Sequence, residues 1–326
     1  ILMLKSISSF VATILFILLI FASGALAQEQ TSSGFRISPV IVEKTVDSGS
    51  SVEVEISIYN PTPAPVNAKI VANDFESSVD ENGQPRIIFD TDKDAPANSF
   101  KALVGDLGTV DIPANSYASV PILITVPQNS SPGGYYGVVR VESVTNSIDS
   151  SNVNLNASVG TIFLVTVPGA INESLAITEF TAAKDGSNGR FFIGGGDKIQ
   201  VVTRLTNNGN IHVKPFGRIQ ILDSKGNTVE QFEFNDREPK ANVLPNSTRK
   251  FVNDLEYSNF FGKYTITANL GYGNDGNLLT ANNTFWVVPL WLVIVAGAFL
   301  IVLIVIAILI FKALSKRKNH KIKHRR

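Results

Sequence analysis

The residues of this sequence that could carry chemistry are few. The 326-residue chain has no cysteine, which removes disulfides, thiolate metal sites and cysteine nucleophiles together. His212 is the one histidine before the basic C-terminal segment, so a His-rich zinc site is not available. A serine nucleophile paired with His212 stays open, but no Gly-x-Ser-x-Gly motif occurs. The sequence therefore predicts a chain that is not an enzyme, with no catalytic residue and no cofactor.

Three aspartates form a second pattern, because Asp90, Asp92 and Asp94 have the spacing that opens a calcium-binding loop. Ala95 stands where such a loop needs glycine, and no glutamate occupies the twelfth position, so the EF-hand pattern fails. A looser calcium site stays open, but we predict no metal site. The three carboxylates are instead candidate partner-binding residues.

Three tyrosines near predicted turns are the other candidate partner-binding residues. Tyr117, Tyr135 and Tyr136 are of interest because aromatic faces stack on sugars and anchor protein contacts. Successive side chains of a strand point to opposite faces, so one of the adjacent pair Tyr135 and Tyr136 is expected in the core.

Alternation of apolar and polar residues predicts the elements that must position these side chains. Val52, Val54, Ile56 and Ile58 alternate with polar residues, which is typical of a strand with one buried face. Similar alternation recurs through the chain, and 34–284 shows no sustained helical period. The fold class predicted for this part is all-β.

The two halves of the chain repeat one order of turns, which predicts two tandem immunoglobulin-like β-sandwich domains at 34–168 and 172–284. Each half has a strand that ends in an Asn-centred turn, at Asn60 and at Asn207. The first half is longer by the segment 74–108, which we interpret as a surface insertion and a candidate contact region. The alternative is a solvated loop without a role.

Both ends of the chain predict export and membrane anchoring. The segment 1–27 has the apolar run and the Ala-x-Ala ending of a cleavable signal peptide. The segment 285–311 is apolar and uncharged, long enough for one transmembrane helix. The segment 312–326 carries eight basic and no acidic residues, which places it in the cytoplasm as the tail of a single-pass type I protein.

The distribution of charge excludes one class of partner. The formal net charge is zero, yet without Lys5 and the eight basic residues of the tail, 19 basic residues face all 28 acidic ones. The exported part thus carries about −9, which is not the charge of a nucleic-acid binder.

Four short motifs accompany this layout of leader, two sandwiches, apolar span and basic tail. They are Ile37-Ser38-Pro39, Tyr59-Asn60-Pro61, Asn73-Asp74-Phe75 and Pro132-Gly133-Gly134-Tyr135-Tyr136-Gly137. In layout and motifs the chain resembles the WxL-interacting cell-surface proteins of Gram-positive bacteria. The resemblance implies an N-terminal peptidoglycan-binding domain, a second, host-binding domain and a C-terminal anchor, and it transfers no ligand-contacting residue. The same opening is also similar to the periplasmic pilus chaperones, which lack a C-terminal anchor.

From these observations we predict a non-catalytic, membrane-anchored binding or scaffold protein of the bacterial cell surface. Its expected partners are cell-wall polysaccharide or surface proteins. The alternative is a chaperone-like assembly factor that holds exported subunits by β-strand pairing at an exposed sheet edge. We expect the first sandwich to carry the main contact, through 74–108 and the turn at Tyr135 and Tyr136.

Overall fold

The computed structural model describes residues 34–89, 96–143, 159–194 and 198–323. The predicted signal peptide and the three aspartates Asp90, Asp92 and Asp94 lie outside the described residues. The described chain is mostly β-strand with two helices, so the prediction of an all-β chain with one apolar C-terminal helix is confirmed.

The strands follow one another through the chain and a single long helix comes last. The helices are α1 (Lys101–Val104) and α2 (Leu290–Lys323). The strands are β1 (Arg36–Ser38), β2 (Ile41–Thr45), β3 (Ser51–Asn60), β4 (Val66–Ser77), β5 (Pro85–Ile87), β6 (Thr109–Ile112), β7 (Ser116–Thr125), β8 (Gly133–Ser143), β9 (Val159–Val167), β10 (Leu175–Lys184), β11 (Ser187–Gly189), β12 (Phe191–Ile193), β13 (Ile199–Asn207), β14 (Phe216–Leu222), β15 (Thr228–Phe234), β16 (Ser247–Asp254), β17 (Gly262–Tyr272) and β18 (Asn277–Val288).

Strands β1 to β9 form an N-terminal sandwich. One sheet has the order β1-β3-β7, and the other has the order β2-β9-β8-β4-β5, with β6 beside β4. The alternating apolar residues of β3 point between the sheets, where Ile56 and Ile58 are fully buried together with Ile122 and Ile124 of β7. The period of two predicted from the sequence therefore builds this core.

Strands β10 to β18 form a C-terminal sandwich with its own core. Its sheets have the orders β11-β10-β13-β16 and β12-β18-β17-β14-β15. The two sandwiches share a strand plan, because β10, β13 and β16 follow the order of β1, β3 and β7. In each sandwich a short strand also pairs in parallel with the last strand, β2 with β9 and β12 with β18.

The segment 74–108 differs from the predicted surface insertion. Phe100 and Leu103 are buried in the N-terminal core, and the ring of Phe100 stacks on that of Phe163 at 5.0 Å. The buried Asp74 ties the segment down, since its carboxylate accepts hydrogen bonds from the Ser99 hydroxyl (2.7 Å) and the Lys101 amide (3.0 Å). The part around α1 is therefore core structure, and removing Ser99 would disturb it.

The junction with the apolar helix also differs from the prediction. Residues 285–288 belong to β18 and not to the helix, because Phe285 and Val287 are buried in the C-terminal core while Trp286 faces outwards. Helix α2 begins at Leu290, directly after β18 and Pro289. The stretch Leu290–Lys312 has a mean hydropathy of 3.5 and is 0% buried, so it is long and apolar enough to cross a membrane.

Candidate functional site

Strand β7 forms one edge of the sheet β1-β3-β7, and its outer side pairs with no strand of the described chain. Its ten residues pair with β3 without a register shift, from Ser116 opposite Asn60 to Thr125 opposite Ser51. Helix α1 lies near β7, but no backbone hydrogen bond joins the two in the described residues. The outer side of β7, called here the β7 edge, thus presents unpaired backbone groups.

The direction of each backbone group on β7 follows from the residue next to its end. Val126 faces β3, because its amide donates to the Ser50 carbonyl at 2.9 Å. Backbone groups of alternate residues face the same way, so even positions of β7 face β3 and odd positions face outwards. Pro121 is one of the odd positions, which explains how a proline fits the ladder without loss of a bond. The β7 edge therefore offers the amides of Tyr117, Ser119, Leu123 and Thr125.

The sequence of β7 contains no charged residue, unlike the other long strands at the edges of the sheets, β15 and β16. Edge strands usually carry charges that oppose pairing with foreign strands. Strand β15 carries Glu230 and Glu233, and β16 carries Arg249, Lys250 and Asp254. The remaining edge strands β1, β2, β5, β6, β11 and β12 have three to five residues each. On β7 only Pro121 interrupts the edge.

The outward edge of β16 is already in use inside the chain. The Lys250 amide donates to the Glu81 carbonyl at 2.7 Å, and the Glu81 carboxylate pairs with Arg204 at 2.5 Å. Glu81 lies in the turn between β4 and β5, within the predicted insertion 74–108. This turn therefore contacts the C-terminal sandwich. The sequence analysis had predicted that the insertion contacts an external partner.

A cleft of about 400 Å³ lies between the two sandwiches. The carboxylate of Glu43 on β2 pairs with the ammonium group of Lys214 at 2.5 Å across it. The Tyr136 hydroxyl accepts a hydrogen bond from the His212 amide at 2.7 Å and lies 3.3 Å from the His212 ring nitrogen Nδ1. This hydroxyl can donate to Nδ1 when the ring is neutral and carries its proton on Nε2. Polar contacts beside the cleft, between Glu43 and Lys214 and between Tyr136 and His212, therefore join the two sandwiches.

Burial changes the pKa values of this tyrosine and histidine in opposite directions. Burial raises the pKa of Tyr136 far above its usual value, so the hydroxyl keeps its proton. Burial lowers the pKa of His212; the Glu43 carboxylate opposes this effect and Lys214 adds to it. Both groups are therefore held neutral at pH 7, in the forms that their hydrogen bond requires.

The structure separates the predicted tyrosines. Tyr117 is exposed on the β7 edge, where its ring packs on Tyr59 at 4.7 Å. Tyr135 is buried and its hydroxyl donates to the Ser131 carbonyl, so its assignment as a contact residue is corrected. Tyr136, on β8 of the N-terminal sandwich, contacts His212 of the C-terminal sandwich. Sequence reasoning missed the β7 edge, although Pro121 in an uncharged strand was a usable signal.

The described residues also bear on metal binding. They contain no group of three or more His, Asp or Glu side chains that could hold a metal ion. Cysteine is absent from the whole chain.

No family model and no curated protein matches this sequence. Solved structures match it, among them several with fimbrial chaperones. A chain of the chaperone-tip adhesin complex of CFA/I fimbriae biogenesis aligns over 77% of this chain and 98% of its own, at 15% identity and a TM-score of 0.38. The class 5 fimbriae chaperone CfaA aligns over 78% and 100%, at 17% identity and a TM-score of 0.36. The CsuC-CsuE chaperone-tip adhesion subunit complex of Acinetobacter baumannii aligns over 78% and 99%, at 13% identity and a TM-score of 0.35.

These comparisons contradict the prediction of a wall-binding or scaffold protein. The matched structures contain fimbrial chaperones. The prediction of a wall-binding function is therefore corrected, and cell-wall polysaccharide as a partner has no support from these comparisons. The resemblance to the WxL-interacting proteins stays a prediction from the sequence.

Proposed function

We propose that this chain is a membrane-anchored assembly factor that holds segments of exported proteins by β-strand pairing at the β7 edge. The observation that carries the proposal is a ten-residue sheet edge without charge and without a partner in the described chain. Proteins normally close such edges, because an open one pairs with any available strand. An edge left open over this length is suited to binding a strand.

The geometry of β7 also indicates what kind of segment would bind. The side chains of Val120, Ile122 and Ile124 are buried between the sheets, so an added strand would extend this apolar layer on its inner face. Its outer face would lie beside Tyr117 and Leu123, which are exposed. A segment with alternating apolar residues therefore fits, and backbone hydrogen bonds supply affinity without fixing the sequence.

The remaining organisation belongs to the same proposal. The segments 34–168 and 172–288 are two immunoglobulin-like domains, the second extended by the strand residues 285–288. Helix α2 is a single transmembrane anchor, the sandwiches stand outside the membrane, and the basic tail lies in the cytoplasm. The partners are exported or surface proteins, and the role is non-catalytic. The support is the apolar helix that follows β18 and the basic residues behind it.

Proline substitutions on the β7 edge test the pairing mechanism in both directions. Ser119→Pro removes an outward amide, whereas Pro121→Ala restores one. A net hydrogen bond is worth about 1 kcal/mol, so we expect binding to weaken about fivefold in the first variant and to strengthen by a similar factor in the second. The measurement is the amount of secreted protein, diluted from denaturant, that the detergent-purified full chain retains.

The matched control lies on β16. Val252 has an outward amide there, since Lys250 faces outwards and positions alternate. Val252→Pro should leave retention unchanged, and circular dichroism should show intact sheet in all three variants. Equal retention by folded Ser119→Pro, Pro121→Ala and parent chains would contradict the proposal.

A further inference from the structure

Exposed apolar side chains surround the point where the C-terminal sandwich leads into α2. Only Pro289 separates the end of β18 from the start of the helix. The exposed fractions are 73% for Phe191, 61% for Ile193, 60% for Phe261 and 41% for Trp286. These four residues are called here the membrane-proximal patch. Such a group of exposed apolar residues marks an interaction surface.

The fold brings the patch together from three parts of the sequence. Strand β12 pairs in parallel with the end of β18, which places Phe191 opposite Trp286 and Ile193 opposite Val288. The rings of Phe191 and Trp286 stack, with their centroids 6.4 Å apart and an angle of 16° between the planes. Phe261 directly precedes β17, whose first residue lies opposite Val287. The patch thus covers three neighbouring strand ends on one side of the helix start.

Distance decides whether a bilayer could reach the patch. Trp286 lies four residues before Leu290, or about 13 Å along an extended strand. The headgroup region of a bilayer leaflet is only about 5 to 8 Å deep, so an upright sandwich would hold Trp286 just above it. A sandwich that leans towards the outer face of this sheet, which carries all four side chains, brings them into this region.

The charged residues beside the patch also suit a lipid surface. Arg190 precedes Phe191 and Lys263 lies opposite Trp286, and both are exposed. Aromatic rings with flanking basic side chains are the usual anchors at headgroup depth. The acidic Asp223 follows β14, two strands from β18, and Asp254 ends β16 in the other sheet. Glu256 lies in the segment that leads to Phe261, so acidic residues are also present at this end of the sandwich, but none of them belongs to the patch.

We propose that the membrane-proximal patch inserts into the headgroup region of the bilayer that α2 crosses, so that the C-terminal sandwich leans on the membrane. The inference rests on the proposed membrane anchor. Lipid is the occupant because the patch is continuous with α2 and no linker allows the sandwich to move away from the membrane. The contact fixes the orientation in which the N-terminal sandwich projects.

The two tryptophans of the chain, Trp286 and Trp291, allow a direct test. The full chain is reconstituted into vesicles of phosphatidylcholine and phosphatidylglycerol that carry bromine near the carbonyl end of the acyl chains. In Trp291→Phe, Trp286 is the only reporter, and its emission should be shifted to the blue and quenched by the bromine. Adding Ile193→Asp and Phe261→Asp should remove most of that quenching, since charges oppose insertion. Phe216→Asp, at the other end of the same sheet, should leave it unchanged.

The second reporter separates this inference from the anchor on which it rests. In Trp286→Phe, quenching of Trp291 reports whether α2 is inserted. Quenched Trp291 together with unquenched Trp286 overturns the leaning sandwich and leaves the anchor intact. If neither tryptophan is quenched, the anchor fails and the inference fails with it. Quenching of Trp286 that persists in the double aspartate variant also overturns the proposal.

Discussion

Strands β7 and β16 occupy the same place in the two sandwiches, yet their edges differ. Each is the edge strand beside the central strand of its sheet, β3 or β13. The β7 edge is uncharged and unpaired in the described chain. Strand β16 carries Arg249, Lys250 and Asp254, and its Lys250 amide donates a hydrogen bond to the Glu81 carbonyl. The fold produces both edges. The charged side chains of β16 and the turn that contains Glu81 leave only β7 of the two available for pairing with another strand.

The largest expected effect tests whether the sandwiches are equivalent and independent. Asn60 ends β3 and Asn207 ends β13, and both are fully buried. Each side-chain amide donates to carbonyls of neighbouring turns, at 2.8 Å to Ala64 and at 2.8 Å to Ile211. Replacing either asparagine by alanine leaves buried carbonyls unpaired, so we expect a loss of about 2 to 4 kcal/mol in the free energy of unfolding.

Calorimetry of the full chain in detergent is the measurement for these two variants. If the sandwiches are separate domains, Asn60→Ala should lower the transition of one and Asn207→Ala that of the other. A single transition that both substitutions lower equally would show one cooperative unit and contradict the proposed division.

The next prediction concerns a substitution that gives the β7 edge a charge like those of β16. Leu123→Lys places a charge on the exposed face of β7, as Lys250 does on β16. A buried or crowded ammonium opposes pairing with an apolar strand, so we expect retention of unfolded secreted protein to fall about tenfold, or ~1.4 kcal/mol. The control is Val252→Lys on β16, which should change nothing. If both variants lose retention equally, retention depends on the net charge of the chain and not on the β7 edge.

The smallest effect concerns the contact that joins the sandwiches. Because burial lowers the pKa of His212 in the folded chain, the unfolded chain binds more protons once the pH falls below about 6.5. Stability contributed by neutral His212 is thus present above that pH and lost as the pH falls towards the folded pKa. Protonated Nδ1 also cannot accept from the Tyr136 hydroxyl. We expect a loss below about 1 kcal/mol between pH 7 and pH 5.

The pH effect is measured as the free energy of unfolding at both pH values, in the parent chain and in His212→Gln. The variant should lose less stability on acidification than the parent. Glu43 and Lys214 face the same ring. If His212→Gln keeps the full pH dependence of stability, that dependence comes from the Glu43–Lys214 ion pair and not from His212.

Local patterns predicted much of the fold, because strand alternation and the Asn-centred turns are encoded within a few residues. Two features depended on tertiary packing. Phe100, Leu103, Val104 and Leu107 have helical spacing, but the run is short and the helix ends at Val104, so the spacing alone does not show that it packs into a β-sandwich core. Phe285 and Val287 alternate with Trp286, but an apolar helix follows and hides the strand period. Pro121 is a local sign of an edge strand, but the fold decides whether another strand covers the outer side of β7.

The account is tested most directly by amide hydrogen exchange, resolved by residue, of the full chain alone and bound to the secreted protein that it retains. The outward amides of Tyr117, Ser119, Leu123 and Thr125 should gain protection on binding, because a paired strand replaces water at these groups. The outward amide of Val252 on β16 should not change. Bound protein that leaves the four β7 amides unprotected would contradict strand pairing at this edge.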